Sequence, residues 1–293
     1  MNTCPWCCTP SEKPYLKVED YFLTHEQFDL IECEHCHLLF TVPRPAPDQI
    51  GAYYQSEEYY SHQENTKGFI PKVYEMVKSV NIKNKLHIAL KQSKDASVLD
   101  IGCGVGDFLW HAQKRGCKVT GIEPSDDAKA IAEKRLGFRP LDPSQSQELP
   151  SASFDVITMW HVLEHVDDLK SQISELSRLL KPGGRLVLAL PNFKSYDAVY
   201  YKDKWAAWDV PRHLNHFCKD SIKAIFSETD LEITEIQRLK WDSYYISFLS
   251  EKYLNHSIPL IRGVLRGFRS NVKASCSGEY SSLVYCFEKR SLA

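Results

Sequence analysis

Two sets of residues in this chain of 293 have the types and spacing to do chemistry. The first is a pair of C-x2-C turns, "CPWC" at Cys4 and Cys7 and "CEHC" at Cys33 and Cys36. Each turn holds two thiolates close together, and two such turns close a tetrahedral Cys4 site for zinc. The stretch between them, "YLKVEDYFLTHEQFDLIE", alternates apolar and polar residues in both halves, which predicts a hairpin carrying the turns at one end. The expectation is a zinc ribbon over residues 1–45. So small a segment buries too little surface to fold alone, so the metal is structural, and four thiolates leave no open position for catalysis. Glycine usually follows the second cysteine of such a turn. Cys8 and His37 stand there instead, leaving Cys8, His35 and His37 as alternative ligands.

The second set lies in "VLDIGCGVGDFLW", where Gly102, Gly104 and Gly106 follow an apolar run ending in Asp100. "SVLDI" reads as a buried strand and "DFLWHAQKRG" as an amphipathic helix, so the glycines occupy a strand-to-helix turn that a ligand can approach closely. "CKVTGIEPS" supplies a second strand ending at Glu123, 21 positions after Gly102, an acid placed for a pair of ribose hydroxyls. A dinucleotide turn, G-x-G-x-x-G, would need glycine at 107. Asp107 stands there, and no Walker lysine follows, which favours a nucleoside ligand without a pyrophosphate.

"VLDIGCGVGDFL", "GIEPS", "FDVITMWHVLEHVDD" and "LLKPGGRLVLALPN" occur in that order. Together they resemble the class I S-adenosylmethionine-dependent methyltransferases over residues 95–192. With the cysteine pairs, "FTVPRP" and the "YY...YYSH" segment, the likeness extends to the subgroup with an N-terminal zinc-binding domain, to which deoxysugar C-methyltransferases belong. The resemblance implies an α/β, Rossmann-like sheet of seven strands, the last antiparallel, with S-adenosylmethionine as cofactor. It implies that Asp100 and the three glycines surround the methionine part of the donor and that Glu123 holds the ribose. Trp160 and His161, at the tip of the fourth strand, would line the donor pocket. Asp142, Ser146 and Gln147 offer no clear adenine contact. His165 reads as a surface neighbour of His161 on a helix, and Glu164 as a structural tie.

Methyl transfer from a sulfonium is an in-line displacement, and an acceptor that carries a proton needs a base. Residues 192–217, "NFKSYDAVYYKDKWAAWDVPRHLNHF", form too long a connection to be a mere link, so they read as an acceptor lid. His213 and His216 are its candidate bases. In the sugar C-methyltransferases an acidic residue precedes the corresponding histidine; here Arg212 does, suited to a phosphate or carboxylate on the acceptor. Tyr200, Tyr201, Trp205 and Trp208 suit either a sugar-stacking wall or a packed lid.

These groups need elements to hold them. Prolines in "PRPAPDQIGAYYQSEEYYSH" mark a boundary near residue 45, followed by a tyrosine-rich helical link over 46–94. Tyr53, Tyr54, Tyr59 and Tyr60 are dense for a spacer, and Tyr60 is a candidate for reaching the cofactor. The catalytic domain is expected over 95–293, with a helical insertion at 243–270 in which Arg262, Arg266 and Arg269 form a basic stripe. That stripe is either a solvated face or a contact for a nucleotide sugar or anionic lipid.

A formal charge of −2 argues against nucleic acid as a partner. No run approaches the roughly 18 apolar residues of a membrane span, and ten cysteines suit a reducing compartment, so a soluble cytoplasmic protein is expected. The function expected is methyl transfer to a small molecule, a sugar or sugar-containing precursor. Quinone or lipid precursors are the first alternative, and RNA modification with the ribbon as a binding module the second.

Overall fold

The computed structural model describes residues 2–46, 48–54, 69–91, 93 and 95–290, with residues 69–79 given by their backbone alone. The alternating N-terminal run forms an antiparallel hairpin, β1 (Lys13–Glu19) and β2 (Gln27–Glu32), and β3 (Leu39–Val42) pairs beside β2. Alternation gives this small sheet two buried faces. Val18, Phe28, Leu30 and Leu39 lie in one apolar cluster, while Ile31, Leu38 and Phe40 join the cysteines in another.

Residues 80–90 pack into the core. α1 (Phe69–Leu90) sends Ile82, Leu86, Ala89 and Leu90 into the same cluster as Val98, Phe108 and Trp160. A β/α alternation follows: β4 (Ser97–Ile101), α2 (Asp107–Gln113), β5 (Lys118–Ile122), α3 (Asp126–Leu136), β6 (Phe154–Trp160), α4 (Leu169–Leu179) and β7 (Leu180–Pro191). Helices on both faces explain why these strands read as nearly unbroken apolar runs. Ser125 begins α3 by accepting the Ala128 N–H, which satisfies one otherwise unpaired donor. Leu99, Ile157 and Leu188 are fully buried, and truncating any one to alanine should cost about 2–5 kcal/mol.

After β7 come α5 (Tyr196–Tyr201), β8 (Asn215–His216), α6 (Lys219–Phe226), β9 (Leu231–Arg238), α7 (Asp242–Tyr253), α8 (Pro259–Ser277) and β10 (Ser282–Lys289). The large sheet runs β5-β4-β6-β7-β10-β9, with β10 antiparallel to both neighbours. This corrects the expected count of seven: the described residues give six strands. The missing edge strand shrinks to one parallel bridge between Ile122 and Leu141. Its sequence, "RPLDP", explains why, since Pro140 and Pro143 lack the N–H that a ladder requires.

β8 does not join this sheet. It pairs with β3, Phe40 opposite Asn215 and Leu39 opposite His216, so the small sheet is β1-β2-β3-β8. The expected N-terminal ribbon and the expected lid are therefore one structure. No described helix is long and apolar enough to cross a membrane.

Candidate active site

The turn after β4 is bent as its glycines foretold. Gly102 has φ +69° and its missing Cβ would stand 2.4 Å from Val162 Cγ2, so no other residue fits. Gly104, at φ +53°, has nothing within 4 Å on its Cβ side, and that open side is where a ligand can meet the backbone. Gly106 begins α2. Glu123, at the end of β5, accepts from Gly104 N–H at 2.8 Å and from Ser125 N–H at 3.0 Å, so the acid placed for the ribose also shapes the turn. Asp107 does not face a ligand position; its carboxylate pairs with Arg135 of α3. Asp142 is likewise engaged, by Lys129.

Asp100 is buried and accepts from the Thr158 hydroxyl at 2.6 Å. Burial pushes its pKa up to about 7, with Thr158 and the Lys85 ammonium opposing. Lys85, on α1, lies 4.7 Å over the Trp160 ring. Burial lowers its pKa, while Asp242, Asp100 and Asp107 support its charge. Lys85 lies outside every quoted motif, and Thr158 lies within one, where its residue type does not single it out. Trp160 is buried against Phe108 at 5.6 Å, with its indole N–H unpaired. Tyr60 lies outside the described residues.

His161 sits between two carboxylates, Nε2 at 2.9 Å from Asp242 and Nδ1 at 3.4 Å from Glu164. Burial pulls its pKa down, but these partners outweigh it and raise it to about 9. It is an imidazolium at neutral pH, a counter-ion that ties β6 to α7. His165 departs from its expected place on a helix surface. Leu163–His165 form a 3-10 turn, and His165 turns inward, its Nδ1 3.0 Å from both the Arg212 carbonyl and the Tyr54 hydroxyl.

There it meets the lid. The His165 and His213 rings stand edge to face at 4.6 Å, and His216 is 6.3 Å from His213. His213 Nδ1 lies 2.9 Å from the Ala207 carbonyl, which can only accept, so Nδ1 carries a proton and Nε2 is the nitrogen left for other partners. The Thr41 hydroxyl donates to the His213 carbonyl at 2.7 Å, so His216 Nε2, 3.0 Å away, must donate to Thr41. Burial above all lowers the His165 pKa to about 4 and takes His216 well below its usual value, so both are neutral.

Glu164 completes the group. It is buried, and neither carboxylate oxygen has a hydrogen-bond partner. Burial opposes its charge, but the contact with the His161 imidazolium holds its pKa below the ordinary value. An oxygen of Glu164 and ring nitrogens of His165 and His213 lie within 4.8 Å of one another. Such a set can take a proton from an acceptor or coordinate a divalent ion. Glu164, His213, Asn215 and His216 border a buried seam, with no room for a water molecule, whose other walls are Pro191, Phe193, Trp205 and Phe217.

Arg212 is not available to an acceptor anion. It is buried in bridges to Asp20 at 2.8 Å and Asp209 at 2.7 Å, fastening the lid to the N-terminal sheet. Trp205 and Trp208 are core residues, their indole N–H groups donating to Asp197 at 2.8 Å and to the Lys202 carbonyl at 2.7 Å. Of the aromatic set, Tyr200 alone is exposed, stacked under Arg266 at 3.9 Å.

The four cysteine sulfurs Cys4, Cys7, Cys33 and Cys36 lie within 4.8 Å of one another, with Cys4 to Cys36 at 3.5 Å and Cys7 to Cys33 at 3.4 Å. Zinc–sulfur bonds of about 2.3 Å place tetrahedral thiolates about 3.8 Å apart, so the donor set fits that ion. Cys8 and His37 adopt φ of 59° and 60°, the left-handed turn that glycine usually makes, and with His35 they stay outside the sulfur cluster.

Comparisons with known proteins agree with this geometry. A family model described as a methyltransferase domain matches residues 75–236. The ubiquinone biosynthesis O-methyltransferase of Pseudomonas aeruginosa (strain LESB58) is 32% identical over 158 residues, covering 50% of this chain and 68% of that protein. The mitochondrial ubiquinone biosynthesis O-methyltransferase of Dictyostelium discoideum is 26% identical over 209 residues, covering 60% of this chain and 63% of its own. Among solved structures, phosphoethanolamine N-methyltransferase 2 of Haemonchus contortus superposes with a TM-score of 0.54 at 16% identity, covering 86% of this chain and 62% of that one, a likeness of fold alone. The glycine turn with Glu123, the mixed sheet and the matching relatives lead to one conclusion: the chain belongs to the methyltransferase domain family and is a class I S-adenosylmethionine-dependent methyltransferase.

Proposed function

We propose that the acceptor is a small hydroxylated molecule with an apolar body, of the quinone-precursor class, and that the methyl group goes to oxygen. The observation that carries this is the composition of the closed seam, which has to open to admit an acceptor: Pro191, Phe193, Trp205 and Phe217 give it apolar walls, and its polar groups gather at Glu164, His213, Asn215 and His216. A saccharide would need polar partners spread around its ring. The relatives named for ubiquinone biosynthesis support the same class and lend nothing to the sugar expectation.

In this reading Asp100 receives the donor's amino group, Lys85 offers a cation to its carboxylate, and Glu123 accepts from the ribose hydroxyls. Trp160 walls the donor, and His161 holds the β6 tip in place. His213 takes the acceptor's hydroxyl proton on Nε2; the oxygen attacks the methyl carbon, and the sulfonium leaves as a neutral thioether. His216 and Thr41 position His213 through its carbonyl. Cys4, Cys7, Cys33 and Cys36 would hold zinc, which would stabilise the sheet that carries β8 and take no part in the transfer.

The test is methyl transfer from labelled S-adenosylmethionine to a panel of prenylated dihydroxybenzenes and nucleotide sugars. An O-methylated phenol is expected. A methylated sugar with the phenols untouched would return the reading to saccharides.

A further inference from the structure

α8 is amphipathic the wrong way round for a packed helix. Its buried face consists of Gly263, Gly267, Ser270 and Ala274, and the two glycines fit closely on α7: a Cβ on Gly263 would stand 2.6 Å from Phe248 Cα, and one on Gly267 2.7 Å from Tyr244 Cα. Its large apolar residues point outward. Ile261, Leu265, Phe268 and Val272 are 58%, 64%, 59% and 50% exposed, and Ile258, Leu260 and Val264 widen the stripe. Scattered exposed apolar residues are ordinary, but a continuous stripe along one helix is an interaction surface.

Charge says what covers it. At 100° per residue, Arg262, Arg266, Arg269 and Lys273 fall along one flank of the stripe, between it and the packed face. The helix holds no Asp or Glu, so it carries four positive charges in a chain of net −2. Glu251 of α7 bridges Arg262 at 2.8 Å, and Arg266 stacks on Tyr200, but Arg269 and Lys273 are exposed. A second copy docking α8 against α8 would find no acid there to meet these charges.

We propose that α8 is a membrane-surface helix: its apolar stripe enters the interface of an anionic bilayer, and its basic flank meets the lipid headgroups. This surface is built independently of the acceptor site, so it stands whichever acceptor the enzyme takes.

The test is flotation of the full-length protein with phosphatidylcholine vesicles, with and without phosphatidylglycerol. Binding is expected to the phosphatidylglycerol vesicles and to weaken with salt. The pair Leu265→Glu and Phe268→Glu should reduce it at least tenfold. Arg269→Gln and Lys273→Gln should each lower the anionic-lipid part about fivefold. All four substitutions lie on exposed positions and should leave donor binding and turnover on a soluble acceptor unchanged, which separates this test from that of the acceptor class. Absence of flotation, or equal binding to both vesicle types, would overturn the proposal. So would a dimer in sedimentation velocity that Phe268→Glu converts to monomer without any vesicle binding.

Discussion

The proposed donor and acceptor halves of this enzyme are built by opposite means. The donor half is local: Asp100, three glycines and Glu123 lie on two adjacent strands and the turn between them, and backbone conformation does much of the work. The acceptor half is assembled from afar. His213 and His216 are held by Thr41 across 172 and 175 positions, and Arg212 reaches Asp20 across 192. Residues 160–166 join the two, because Val162 packs against Gly102 while Glu164 and His165 face the lid. A local site tolerates little change in its backbone, whereas an assembled one fails when any distant support is lost.

The largest effect short of losing a support should come from His213→Gln. Loss of a positioned base lowers turnover about a hundred- to ten-thousandfold, and donor affinity measured by calorimetry should stay within a few-fold. Turnover that barely moves would take His213 out of the base role. On the donor side, Gly102→Ala forces a side chain into φ +69° and onto Val162, which should cost about 1–3 kcal/mol and weaken donor binding. If transfer in donor-saturated enzyme fell as steeply as affinity, the two halves would be less separable than the geometry makes them.

A smaller effect follows from Asp100. Its pKa in the free protein is about 7, raised by burial, whereas the donor's amino group favours the ionised carboxylate. Donor binding therefore releases a proton and strengthens as pH rises. Below the free-protein pKa a fraction of Asp100 must first ionise, so apparent affinity should fall about tenfold from pH 8 to pH 6. Asp100→Asn should bind the donor weakly and with a flat profile. A wild-type profile already flat over that range would show that Asp100 is ionised before the donor arrives.

The same contrast explains what the amino-acid sequence revealed. The donor half was readable because each motif is contiguous and its periodicity follows from burial on both faces of the sheet. The fold diverged at the edge, where Pro140 and Pro143 reduce the expected third strand to a bridge at Leu141. In the lid, His213 stood out by residue type, but its partners did not. "HVLEHV" has a helix's spacing but takes a 3-10 turn that directs His165 inward, and Arg212, free to grip an anion on paper, is buried between Asp20 and Asp209. Lys85 sat in a segment that looked like a connector. Such contacts depend on how distant segments pair, and no local pattern encodes the docking of β8 on β3.

That docking is the centre of the account, and Cys33→Ser tests it directly. On the proposal that zinc fills the four-cysteine site, substitution should release the ion and loosen β1–β3, the sheet that carries β8 with His213 and His216. Donor affinity and methyl transfer should then be measured on the same preparation. The account predicts donor binding within a few-fold of wild type and transfer reduced at least as far as in His213→Gln. Full transfer by a metal-free Cys33→Ser enzyme would contradict it.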